Sequence, residues 1–328
     1  MIVRRSGTVF PERVDCAAGL GCEYWLCDER NSVTLNKNDS APKELQSIQR
    51  GIGSHWVGDG FPVRTLLAYP NLGPAITPFL LLDFAGPHEF PPTRERLGVG
   101  QHPHRGFETV TFVYDGEVEH KDSAGGGGRI GPGDVQWMTA GSGIVHEEFH
   151  GRDFAARGGM FQMIQLWVNL PAEHKMTSPR YQGITAERIP TVELPEHSGT
   201  ARIIAGELGE ARGPAETVTP IHMWDLALVG GKRTELAVPD GYTAAVVVLN
   251  GELRVNGSDP IRDAEVGLLA RAGSDFVLEC TTDTRALLLA GEPIDEPIVG
   301  QGPFVMNTRD EIRQAMHDYS TGKMGRLP

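Results

Sequence analysis

His102-Pro103-His104-Arg105-Gly106-Phe107-Glu108-Thr109-Val110-Thr111-Phe112 is followed, about forty residues on, by His146-Glu147-Glu148. Two histidines separated by one residue project from the same face of a strand, because side chains alternate with period two. His146 and Glu148 repeat that spacing, so a second strand can bring an imidazole and a carboxylate to the same interior. Imidazoles joined by one carboxylate suit a first-row transition metal: Fe(II), Mn(II), Ni(II), Cu(II) or Zn(II). Four protein ligands around an octahedral ion leave two positions for water, substrate or dioxygen, which points to chemistry. A structural zinc site is more often closed, tetrahedral and built with thiolates, and no cysteine lies near this stretch.

Working outward, strand-sized apolar segments recur between turn signals at 78–82, 107–114, 135–138 and 160–170. Asp115-Gly116 has the turn chemistry of a hairpin leading into 117–120. Gly131-Pro132-Gly133-Asp134 makes another turn. The run Gly125-Gly126-Gly127-Gly128 is read as a loop, since no helix opens after it to cradle a phosphate. Glu108 shares parity with the two histidines in a regular strand, but Gly106 invites a bulge that turns it away. His120 and His150 continue strands near the site and are read as standing behind the ligands or at the surface.

The polar, proline-punctuated stretch 172–200 reads as the connection between two domains. Strand patterning resumes at 201–205, 221–229, 233–238, 242–249, 276–280 and 285–289, with turns at Pro239-Asp240-Gly241 and Asn250-Gly251. That half has only His222 in its early strands, so no metal site is expected there. Thr308-Arg309-Asp310-Glu311 is a capping box opening a short C-terminal helix striped by Ile312, Ala315, Met316 and Tyr319. The fold expected is therefore all-β: two β-barrels and a short C-terminal helix. The expected division is an N-terminal, mobile extension over 1–45, a metal-binding barrel over 46–175 and a second barrel without metal over 176–328.

At 328 residues the chain can bury two cores, and 41 glycines with 23 prolines favour short strands joined by turns. The formal net charge of -13, without any long run of lysine or arginine, argues against direct nucleic-acid binding. Arg4-Arg5 is not followed by the apolar core of a signal peptide, and no stretch approaches the roughly 20 apolar residues that span a bilayer. A soluble, cytoplasmic protein is expected. Cys16, Cys22 and Cys27 lack the paired spacing of zinc ribbons and, with Cys280, are read as free thiols.

The stretch 102–111 and the segment Gly133-Asp134-Val135-Gln136-Trp137-Met138-Thr139-Ala140-Gly141-Ser142-Gly143-Ile144-Val145-His146 closely resemble the pirin family of the cupin superfamily. Gln165-Leu166-Trp167-Val168-Asn169-Leu170-Pro171, Pro179-Arg180-Tyr181-Gln182 and Gly302-Pro303-Phe304-Val305-Met306-Asn307-Thr308 add to the match. The resemblance covers residues 48–325, and the first 45 residues have no recognised counterpart. It implies a bicupin, two double-stranded β-helix barrels, of which the first holds one metal, commonly iron. The implied ligands are His102, His104, His146 and Glu148. The glutamate that general cupins use shortly after His-x-His is replaced by the carboxylate of the second motif. The second cupin has lost its ligands in the family.

Several pirins resemble quercetin 2,3-dioxygenases, which implies an oxidoreductase that opens the central ring of a flavonol with dioxygen and releases carbon monoxide. Glu148 is then the base for the flavonol 3-hydroxyl, and Phe112 or Met160 would line the substrate cavity. Fold and ligands fix a class of site rather than its substrate. An alternative of another class is an iron-dependent, redox-sensing regulator that binds a protein partner, a transcription factor or a metabolic enzyme. A third is a metal-dependent isomerase or hydrolase.

Overall fold

A computed structural model of the protein describes residues 41–327. Cys16, Cys22, Cys27 and residues 1–40 of the expected extension lie outside that range. Two seven-stranded antiparallel sheets dominate, each accompanied by a four-stranded sheet. The first large sheet centres on Phe107–Asp115, Gly159–Asn169 and Phe79–Phe90; its small partner holds Gly98–His104, Ile144–His150, Val118–Asp122 and Gly127–Ile130. The second large sheet centres on Thr243–Asn250, Thr284–Gly291 and Ile221–Leu228. Its partner holds Arg233–Ala237, Asp275–Cys280, Glu252–Val255 and Ile261–Arg262. This is the all-β, two-barrel architecture expected, closed by the helix Arg309–Ser320 with its Thr308–Glu311 capping box in place.

The strands are explained by where their two faces go. Every residue of Phe107–Asp115 except Asp115 is buried, which a strand achieves only with cover on both sides. Val110 and Phe112 join one apolar cluster with Trp137, Leu166 and Val168, and that cluster continues into Ile204, Met223, Val247 and Leu289 of the second large sheet. The two large sheets therefore share a core. The interior of the second barrel is filled by apolar side chains, among them Trp224, Leu236, Val246, Phe276 and Leu288.

Two turns depart from the sequence expectation. Asp115-Gly116 does not close a hairpin: Phe107–Asp115 pairs with Val135–Thr139 and Gly159–Asn169, whereas Val118–Asp122 pairs with Ile144–His150 and Gly127–Ile130. The turn instead carries the chain from the large sheet to the small one. Gly116 has φ +88°, and a Cβ there would stand 2.6 Å from the Phe161 ring, so glycine is required. The tetraglycine is only half loop. Asp122 Oδ1 accepts the N–H groups of Ala124 and Gly126, after which Gly127 and Gly128 run as strand, Gly128 opposite His120.

Edge strands cross between the halves. Leu45–Arg50 pairs with Glu265–Leu269 of the second sheet, and Arg180–Ile184 pairs with Val135–Thr139 of the first. Lys43 falls inside the extension expected to be mobile over 1–45, yet it is buried and donates to the carbonyls of Tyr242, Ala270 and Arg271, which ties this end of the stretch to the second sheet. The C-terminal helix packs Ile312 and Ala315 with Val145, Phe304 and Met306, directly behind the strand that carries His146.

Candidate metal centre

Gly98–His104 and Ile144–His150 pair antiparallel, with His146 opposite His102 and Ile144 opposite His104. The register shifts between His146 and Glu148, so Glu148 falls opposite Val99. On its other side the same strand meets Val118–Asp122, placing Asp122 opposite His146 and His120 opposite Glu148. The bulge is a device that re-aims one side chain in a ladder otherwise set by alternation.

The three histidines converge. Ring centroids lie 4.2 Å apart for His102 and His146, 4.8 Å for His104 and His146, and 4.9 Å for His102 and His104. Ligand atoms of His102, His104 and His146 all lie within 4.8 Å of one another, and those of His120, His146 and Glu148 form a second such group. The four residues singled out from sequence are thus brought together as two overlapping triplets joined at His146, and His120 belongs with them.

Each of the three rings has one nitrogen engaged and the other free. His102 Nδ1 hydrogen-bonds the Gly100 carbonyl at 2.8 Å, and the His104 ring is hydrogen-bonded to the Pro303 backbone. His146 Nδ1 lies 3.2 Å from His120 Nδ1. His104 Nδ1 and His146 Nε2 are buried without a hydrogen-bond partner. A buried nitrogen left unpaired costs free energy, and a coordinated metal removes that cost. The donor set therefore fits a transition metal.

Electrostatics favour the same state. Burial, reinforced by the neighbouring imidazoles, holds His104 and His146 well below the ordinary histidine range, so both are neutral and able to ligate. Burial works against the Glu148 carboxylate, but the neighbouring His120 outweighs it and keeps Glu148 below the usual range. Burial likewise opposes charge on His120, where Asp122 and Glu148 prevail and raise it. Gln136 Nε2 donates to Glu148 Oε1 at 2.8 Å, and Thr111 Oγ1 donates to Gln165 Oε1 at 2.6 Å deeper in the barrel.

His120 is completely buried, with its Nε2 3.1 Å from Asp122 Oδ2 and its ring stacked on Tyr181 at 5.0 Å. Its signal was present in the sequence: His120-Lys121-Asp122 repeats the alternate spacing of the two recognised pairs. His150 is also buried, but among Phe61, Phe90, Phe154 and Phe161, with Nε2 on the Gly60 carbonyl, and it takes no part in the cluster. Glu108 is turned away. Gly106, at φ +88°, reverses the alternation, so Phe107 stands against His104 while Glu108 shares parity with Val110 and Phe112.

Two expected lining residues are elsewhere. Phe112 is buried in the core shared by the two large sheets, and Met160 is exposed at the start of its strand. The aromatic walls are instead Phe107 and Trp167, 5.1 and 5.4 Å from the His104 ring, and Tyr181 beside His120. His102, Trp167 and Tyr181 keep partial exposure, so solvent reaches the cluster from their side.

Paired β-barrels with an open cluster of imidazoles and a carboxylate in the first define a bicupin with a candidate metal centre. Residues 60–168 match the family model Pirin, and residues 223–325 match the Pirin C-terminal cupin domain. The chain belongs to the pirin family. It is 56% identical over 281 residues to a Pseudomonas aeruginosa protein named "Putative quercetin 2,3-dioxygenase", covering 86% of this chain and 98% of that one. Human Pirin is 37% identical over 274 residues, 82% of this chain and 89% of that one. A crystal structure of quercetin 2,3-dioxygenase from Acinetobacter baumannii superposes with a TM-score of 0.85 at 52% identity, covering 88% of this chain and all of that chain. No described helix is long and apolar enough to cross a membrane.

Proposed function

We propose that this chain is a metal-dependent dioxygenase acting on a flavonol such as quercetin, with His102, His104, His146 and Glu148 as metal ligands. The observation that carries the reading is the pair of buried, unpartnered nitrogens, His104 Nδ1 and His146 Nε2, within a cluster of imidazoles and a carboxylate. Fe(II) is the ion proposed, with Mn, Ni, Cu or Zn accepted by the same donors. When bound, the metal supplies Lewis acidity and a route for electrons between substrate and dioxygen.

The protein's own groups do the rest. Glu148 is anchored by Gln136, whose Nε2 donates to Oε1, which leaves Oε2 to take the proton of the flavonol 3-hydroxyl. Phe107 and Trp167 give an aromatic wall that orients a planar ring beside His104. The small-molecule partners are then a flavonol and dioxygen, with the first barrel carrying the chemistry and the second serving as its support. A cytoplasmic location is part of the same proposal.

The test is to load purified protein with Fe(II), supply quercetin and oxygen, and follow oxygen uptake together with carbon monoxide release. Both are expected in step with substrate loss. Metal shown to be bound, without turnover above free iron, contradicts the reading. Glu148→Gln should retain the ion and lose roughly a hundredfold or more in turnover, the scale of a general base.

A further inference from the structure

Asp122, His120 and His146 form a chain that ends on the metal side of the centre. Asp122 Oδ2 faces His120 Nε2 at 3.1 Å, and His120 Nδ1 faces His146 Nδ1 at 3.2 Å. Beyond the second ring lies His146 Nε2, buried and without a partner. A carboxylate has no proton to give, so His120 Nε2 carries the hydrogen and donates it to Asp122. Glu148 Oε1 stands 3.9 Å from His120 Nδ1, beyond hydrogen-bond reach, so in the neutral ring His120 Nδ1 accepts from the nearer His146, which places the hydrogen of His146 on Nδ1. His146 Nε2 is left with its lone pair exposed toward His102 and His104.

We infer that Asp122 and His120 are positioning residues which, through two successive imidazoles, set the tautomer of His146 and so prepare its Nε2 to ligate. This rests on the metal centre proposed above. Metal-ligating histidines commonly give their other N–H to a carboxylate, carbonyl or water, and His102 and His104 here follow the short form, each bonded directly to backbone. His146 has no backbone acceptor and uses His120 instead. The rest of the neighbourhood suits that role. Asp122 Oδ1 is occupied by the N–H groups of Ala124 and Gly126, so only Oδ2 faces the ring. Tyr181 stacks 18° from parallel on His120 and holds its plane. Gln136 Nε2, 3.3 Å from His120 Nδ1, is a second donor to the same lone pair.

The competing arrangement uses the other triplet, in which His120 and His146 both ligate beside Glu148. Nitrogen NMR of protein labelled with 15N-histidine separates the two. Metal-free protein at mildly alkaline pH should show His120 as the Nε2–H form and His146 as the Nδ1–H form, and Zn(II) should shift His146 Nε2 and leave His120 Nδ1 unligated. Asp122→Asn keeps the oxygen that caps the loop but turns Oδ2 into a donor. That forces the hydrogen of His120 onto Nδ1 and reverses the chain. It should weaken Zn(II) binding about 10- to 100-fold, measured by chelator competition, with the thermal midpoint little changed.

An Nε2–H His146, an Nδ1–H or doubly protonated His120, or zinc on His120 Nδ1 overturns the inference. So does zinc held equally by the wild type and Asp122→Asn. A wild-type chain that binds no zinc overturns the metal centre itself, a result distinguishable from failure of the relay alone.

Discussion

Glu148 and Glu108 show how one residue type takes opposite roles within a single barrel. Glu148 faces His120 and Gln136 and stays ionised, whereas Glu108 faces the shared core, where burial pushes its carboxyl up to about 7 despite the 2.6 Å hydrogen bond from Thr139. A folded-state pKa above the unfolded value means that stability is fully present below about 4.5 and is lost as pH rises through about 7. Glu108→Gln should remove that loss. The variant is expected to gain on the order of 3 kcal/mol relative to wild type between pH 5 and pH 8, read from urea midpoints. Equal pH dependence in the two proteins would contradict the placement. The convergence of His102, His104 and His146 was legible because histidines on paired strands need only alternation, whereas the register shift that sets Glu148 opposite Val99 leaves no mark in the sequence. The fifth group, His120, was harder to weigh: a single ring on a strand looks the same whether it backs a ligand or, like His150, fills an aromatic core.

At the scale of elements, the helix Arg309–Ser320 braces the turn that follows His104. Arg105, nearly buried, donates to Asp318 Oδ2 at 3.0 Å and to the Ser142 carbonyl at 2.7 Å. Lys323, with Gln314 and Arg105, pulls the Asp318 carboxyl down to about 2. A depressed carboxylate stabilises above its unfolded pKa and loses that contribution as pH falls toward 2. Asp318→Asn should therefore lower stability by about 2 kcal/mol at neutral pH, with the difference shrinking in acid. A urea midpoint unchanged at neutral pH would show that the bridge is solvent-screened. The capping box was readable because Thr308 and Glu311 satisfy each other locally. The sheet change at Asp115-Gly116 was not, since the same turn chemistry serves a hairpin or a crossing, and only strand pairing far along the chain decides between them.

For the whole molecule, two barrels were legible from recurring strands and turns, but not how they join. Phe107–Asp115 is buried on both faces, each mixing apolar and polar residues, so sequence alternation does not say which face meets the candidate metal site and which meets the second barrel. That ambiguity put Phe112 in the wrong place, and the crossing of Leu45–Arg50 and Arg180–Ile184 leaves no local mark either. The shared core has a consequence for unfolding. Phe112→Ala should cost about 3–5 kcal/mol, and because Phe112 touches the cluster of both large sheets, the halves should melt together. Tryptophan fluorescence and far-ultraviolet circular dichroism are expected to give one coincident transition. Two separated transitions would mean that the barrels are energetically independent.

The central claim, one metal held by three histidines and a glutamate in the first barrel, is tested most directly by metal content. Protein purified without added metal should carry one transition-metal ion per chain, and His146→Ala, with its circular dichroism unchanged, should carry none. Equal metal in the two proteins, or none in the wild type, would contradict the account.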